Sequence, residues 1–156
     1  MGSKGRVLWR LSSRVSSERE IVNIGFSWSL VRRFPGEPER RFAAQQRSLC
    51  VRVGAAVHAV GGSDLLGASS GVSEGRQWPL HGLRLMPEGG TSGWYLWTGD
   101  HDPNDPDFFA PIHAKHIFEA RLVVVPYLGL PPGWRFLIAP GYEDIWFDRE
   151  ALDSPG

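Results

Sequence analysis

Three clusters, Pro87-Glu88-Gly89-Gly90, Pro131-Pro132-Gly133 and Pro140-Gly141, punctuate the second half of this chain and limit what it can fold into. Proline lacks an amide hydrogen and glycine accepts left-handed backbone, so neither a helix nor a strand runs through such clusters. The elements between them must be short. Residues 77–86 and 93–98 read as two strands joined by the first cluster, the second dense in Trp94, Tyr95 and Trp97. Residues 134–139 and 144–148 read as a second hairpin around Pro140-Gly141. Between the hairpins, Phe109, Ile112, His116 or Ile117 and Ala120 recur at spacings of three to five. That periodicity predicts one short helix over 108–121, with Asp107 as its N-cap and Pro111 in its first turn. The expected fold class is α+β: a small antiparallel sheet of hairpins with one short helix packed on it.

The first half is of a different kind. Residues 1–70 hold eleven Lys/Arg against five Asp/Glu, and residues 71–156 hold six against twelve, so a net charge of zero conceals halves of +6 and −6. The arginines are scattered and lack interleaved aromatics, which argues against a nucleic-acid arm and for a poorly structured tail. Within it, 21–31 reads as a strand or short helix, 49–60 as a strand, and the Gly/Ser-rich 61–75 as a linker. The expected organisation is a largely irregular basic extension over 1–75 and a folded domain over 76–150. Charged residues from Arg14 to Glu20 interrupt any leader-like apolar run, and the longest strongly apolar run, 122–125, is far short of a membrane span of roughly 20 residues. Cys50 is the single cysteine, so an internal disulfide framework and a cysteine-built zinc site are excluded. A soluble cytoplasmic protein that engages neither membrane nor nucleic acid is expected.

Several residue sets could carry chemistry. His113 and His116, three apart on the expected helix, could face one metal ion with His101 as a third ligand, the arrangement of a small metal-dependent hydrolase. The run Asp100, Asp102, Asp105 and Asp107 offers oxygen ligands, but prolines interrupt it and the distal glutamate of a helix-loop-helix calcium site is missing. Glu143, Asp144 and Asp148 could supply paired carboxylates, a pattern any acidic stretch offers. There is no Gly-x-Ser-x-Gly elbow to activate a serine and no glycine-rich phosphate loop between strand and helix.

The aromatic residues from Trp78 to Phe147 invite two readings. Most belong in a core, yet alternate residues of a strand face opposite sides, so Trp94 with Leu96 and Tyr95 with Trp97 cannot share one core. Aromatic surface ringed by carboxylates is also the anatomy of a protein-binding patch, the rings giving anchor area and the charges speeding encounter with a basic partner.

The segment Thr91-Ser92-Gly93-Trp94-Tyr95-Leu96-Trp97-Thr98-Gly99-Asp100, followed by an acidic loop, resembles the Ser-Gly-Trp, three residues, Ser/Thr-Gly-Asp/Glu signature of a bacterial immunity-protein family. It is family thirty-three of the polymorphic-toxin series, formerly a domain of unknown function. The block from Tyr127 to Phe136 and then Ala139 to Trp146 is similar to the C-terminal part of one branch. The resemblance covers residues 76–150, with Thr98 where serine is common. It implies a small α+β cytoplasmic protein that binds and silences a cognate toxin, without cofactor and without catalysis. On that reading Trp94, Trp97, Asp100, Asp102, Asp105, Asp107, Glu143 and Asp144 form the surface that meets a basic toxin. A metal-dependent hydrolase using His101, His113 and His116, and a general protein-interaction domain, are the alternatives.

Overall fold

The computed structural model describes residues 6–7, 36–75, 77–102 and 104–153. A seven-stranded sheet is built from β1 (Arg6–Val7), β2 (Leu65–Ala68), β3 (Leu80–Arg84), β4 (Thr91–Thr98), β5 (Ala110–His113), β6 (Trp134–Ala139) and β7 (Tyr142–Phe147). The strand order is β1-β7-β6-β3-β4-β2-β5. Every pairing is antiparallel except that of β2 with β4. Among the described residues three α-helices accompany it, α1 (Glu37–Val53), α2 (Ser70–Ser73) and α3 (Ala114–Ala120), with 3₁₀ turns over Leu122–Gly129 and Arg149–Leu152. The class is α+β, as the sequence implied.

Both hairpins form where the turn chemistry placed them. β3 lies against β4 with Gly82 opposite Leu96 and Arg84 opposite Trp94, and β6 lies against β7 with Phe136 opposite Ile145. β3 also pairs with β6, which joins the two hairpins into one sheet. Alternation along β4 then sorts the aromatics: Trp94 and Leu96 turn into the main core with Leu80, Phe136, Ile138 and Ile145. Tyr95 and Trp97 turn to the other face.

The expectation of an irregular segment up to residue 75 is corrected from Gly36 onward. Residues 37–53 form a 17-residue helix. Pro38 sits in the first turn, where its missing N–H costs nothing, Glu37 and Glu39 complement the positive end of the helix dipole, and Arg52 lies in the last turn. Phe42, Leu49, Cys50 and Val53 pack on the core. The strand expected over 49–60 is therefore the end of α1 and the loop after it, while the strand or helix expected over 21–31 lies outside the described residues. The expected linker over 61–75 contains β2, an interior strand, together with α2.

The helix expected over 108–121 is also corrected. Its first part is β5, an edge strand in which Pro111 pairs opposite Gly67, and only residues 114–120 are helical. Proline is tolerated at a sheet edge because no neighbour there requires its amide. Asp107 does not cap α3, whose N-cap is His113.

Two polar side chains hold the layers together. Gln46 on α1 is fully buried; its Nε2 donates to the Val60 carbonyl and its Oε1 accepts from the Val60 amide, each at 2.9 Å. Arg84 is 5 % exposed and donates to four carbonyls: Ser92 at 2.9 Å, His58 at 2.7 Å, Leu128 at 3.3 Å and Leu130 at 2.6 Å. One guanidinium thereby ties the β3–β4 hairpin to the loop after α1 and to the end of the long 3₁₀ turn. Burial pulls its pKa down to about 10, partly opposed by Asp64.

Candidate functional site

The chain between β4 and β5 carries the acidic residues, and its start is set by Gly99, whose φ of 68° turns the backbone out of the sheet. Asp100, Asp102, Asp105 and Asp107 are all exposed along it. Short side-chain to backbone bonds shape the loop: the Asp102 carboxylate accepts from the Asn104 amide and the Asp105 carboxylate from the Asp107 amide, both at 2.9 Å. The prolines and aspartates that fill this stretch suit such local turns and oppose any continuation of the sheet.

Beneath the loop is an aromatic cluster on the sheet face away from α1. The His81 ring stacks on Trp97 with centroids 5.0 Å apart and planes 4° from parallel. Tyr95 and Phe109 meet edge to face at 5.1 Å, and His101 packs against Phe108 at 4.8 Å and Phe109 at 5.3 Å. Burial, reinforced by the Arg135 charge and only partly opposed by Asp100, lowers the His81 pKa, so this ring sits neutral in the stack at pH 7. The exposed rim of the cluster is His101, which the sequence offered as a metal ligand, with the flanks of Phe108 and Phe109, which it offered only among the aromatics as a whole.

The residues expected to meet a partner therefore divide. Asp100, Asp102, Asp105 and Asp107 come together on one exposed loop. Trp94 does not belong with them: it is 1 % exposed, packs on Phe136 at 5.6 Å and donates its indole N–H to the Leu128 carbonyl at 3.0 Å. Trp97 is covered by His81, His101 and Phe109. Asp144 is buried on β7. Glu143 accepts two hydrogen bonds from Arg52, each 2.7 Å, and one from the Tyr127 hydroxyl at 2.5 Å. It stands three strands from the end of β4, roughly 14 Å at the usual interstrand spacing. Arg52 holds the Glu143 carboxyl below its ordinary value, and burial pushes the Tyr127 hydroxyl up.

The histidines of the hydrolase alternative do not converge. His101 is in the aromatic cluster, and His113 ends β5 with its Nδ1 3.0 Å from the Ser63 carbonyl, so the helical spacing that would set it beside His116 is absent. Among the described residues no group of three or more His, Cys, Asp or Glu is placed to hold a metal ion. None of the helices described is long and apolar enough to cross a membrane.

A cleft of about 340 Å³ opens beside the acidic loop. Ser69, Ser70 and Ser73 line it from the α2 side, and Asp105, Asp107 and Phe108 from the loop. The serines fall in the stretch read as a linker, so nothing in the sequence singled them out. Their clue was local: a Ser-Ser-Gly start to a short helix directly after a strand.

Comparison with known proteins adds one finding. No curated protein and no solved structure matches this chain. A family model described as the Imm33-like domain matches residues 45–148. The match reaches upstream of residue 76, where the resemblance began, and takes in the second half of α1 with α2 and the interior strand β2. Spanning well over half of the sequence and both hairpins, this match shows that the chain belongs to the Imm33-like family, an immunity-protein family by name.

Proposed function

We propose that this protein is a non-enzymatic immunity protein that binds a cognate bacterial toxin in the cytoplasm and neutralises it by occupying its surface. Membership of the Imm33-like family is the observation that carries this reading. The acidic β4–β5 loop supports it and suggests the chemistry of the partner: exposed carboxylates next to the rims of His101, Phe108 and Phe109 suit a basic, partly apolar surface. Charge of one sign steers association and rejects like-charged partners, which suits an inhibitor that must find its target fast. The internal roles of Trp94, Glu143 and Asp144 move the proposed contact set to Asp100, His101, Asp102, Asp105, Asp107 and Phe108.

The test is protection. Cells expressing the toxin encoded beside this gene should survive when the full chain is co-expressed, and purified toxin should bind the chain directly. Reversing Asp100 and Asp102 to lysine should weaken binding by about tenfold or more, with a smaller effect at high salt. A wild-type chain that neither protects nor binds would sink the proposal.

A further inference from the structure

The cleft beside the acidic loop has a donor and acceptor balance that a generic surface groove lacks. Asp105 and Asp107 bring carboxylates that only accept hydrogen bonds, and Ser69, Ser70 and Ser73 bring hydroxyls that accept as readily as they donate. Ser69 is 6 % exposed, and its buried Oγ has no hydrogen-bond partner among the described residues. Leaving a buried hydroxyl unpaired costs about 1–3 kcal/mol, so a group that satisfies it has a standing advantage. One oxygen of Asp105 is engaged with the Asp107 amide, and among the described residues none donates to the carboxylate of Asp107. Phe108, Pro111 and Ile112 supply apolar lining in the same cleft.

A ligand for this site must present several donors, carry positive charge and bring an apolar stem. The geometry points to an arginine side chain of the bound partner as the occupant, its guanidinium held by Asp105, Asp107 and the buried Ser69 hydroxyl and its methylenes laid along Phe108, Pro111 and Ile112. A guanidinium offers five donors in a planar fork that suits carboxylates, and its stem packs on apolar surface. A divalent cation fits less well, since two carboxylates are the only charged ligands in the lining and no third His, Cys, Asp or Glu completes a metal group among the described residues. A volume of about 340 Å³ lies at the small end of the roughly 300–1,000 Å³ typical of ligand sites, which suits a single side chain. This assignment rests on the toxin-binding reading and names the anchor within it.

The test uses the full chain labelled with ¹⁵N and titrated with Nα-acetyl-arginine methylamide, with Nα-acetyl-citrulline methylamide as the neutral isostere. The expected result is saturable millimolar shifts of the Ser69, Ser70, Asp107 and Phe108 amides, with citrulline about tenfold weaker. Asp105→Asn/Asp107→Asn should lose the response about tenfold and Ser69→Ala should reduce it severalfold, while the remaining amide spectrum reports an intact fold. Equal response to citrulline, shifts centred elsewhere, or an undiminished response in the double variant would each overturn the assignment. Because the probe is a single amino-acid derivative, such a result strikes the cleft alone, and the protection experiment decides the toxin reading separately.

Discussion

Arg52 in the last turn of α1 and Glu143 on β7, 91 positions apart in sequence, are joined by two hydrogen bonds of 2.7 Å in a bidentate ion pair, and Tyr127 closes the group from the 3₁₀ turn. Three elements meet at one carboxylate. Arg52 is the more exposed partner, so solvent screening keeps the pair modest despite its geometry. Glu143→Gln should cost about 1 kcal/mol at neutral pH. Because Arg52 lowers the Glu143 pKa in the folded state, the stabilisation is present above the ordinary value of 4.5 and is lost as pH falls through the lowered value. Urea denaturation at neutral pH and again well below 4.5 should show the gap between wild type and variant closing in acid.

Arg84 is buried and bonds four backbone carbonyls, and its replacement should be far more damaging than that of Arg52. Arg84→Met keeps apolar bulk beside Trp94 but strands the carbonyls of Ser92, His58, Leu128 and Leu130. A loss of roughly 3 kcal/mol or more is expected. Arg84→Lys should recover only part of it, since an ammonium has three donors and no planar fork. Equal stability of the lysine variant and wild type in chemical denaturation would refute the clamp.

The two tryptophans of β4 should behave differently. Trp94→Ala removes a fully buried indole and its bond to Leu128, with an expected cost of about 3–5 kcal/mol. Trp97→Ala opens the aromatic cluster on the other face and should cost less, while changing the environment of His81. With the stack and burial gone, the His81 pKa should move back toward its ordinary 6.5, a shift that ring-proton NMR reads directly.

Glycine serves two ends in the Ser-Gly-Trp, three residues, Thr-Gly-Asp signature. A Cβ at Gly93, where φ is 79°, would overlap the Leu85 carbonyl oxygen across the hairpin, whereas one at Gly99, where φ is 68°, meets open space. Gly93→Ala should therefore destabilise by several kcal/mol and Gly99→Ala by about 1–2 kcal/mol, the cost of left-handed backbone alone. Thermal melts of the two variants give the ranking.

Charge reversal should separate the loop from the frame. Asp100→Lys and Asp107→Lys lie on exposed backbone and should change stability by no more than about 0.5 kcal/mol, while Glu143→Lys places like charge against Arg52 and should destabilise clearly. Comparable losses from all three would show that the acidic loop has a structural role.

The hairpins were legible because their turns carry the chemistry that the backbone requires, with Pro/Gly clusters at 87–90 and 140–141. The helix α1 was hidden by Gln46, a polar residue on its buried face, whose pairing with Val60 becomes visible only when the loop folds back. Phe42, Leu49, Cys50 and Val53 did keep helical spacing around it. β2 was hidden because it is four residues long with Gly67 inside, a composition that a linker shares. The 108–121 helix failed on Pro111, which suits a first helical turn and a sheet edge equally. Of the candidate site, the acidic loop could be read from residue types, but the removal of Trp94, Glu143 and Asp144 from it could not, since burial and pairing depend on contacts distant in sequence.

β2 lies between β4 and β5, so the chain that leaves β4 has to arch over a whole strand before it can enter β5. Strand pairing stops at Thr98 and resumes at Ala110, and the strands on either side are held by partners of their own. The acidic display is thus a bridge whose span is fixed by the sheet. On the proposed toxin-binding reading, charges on this bridge set which partner it meets, while the girders beneath stay as they are.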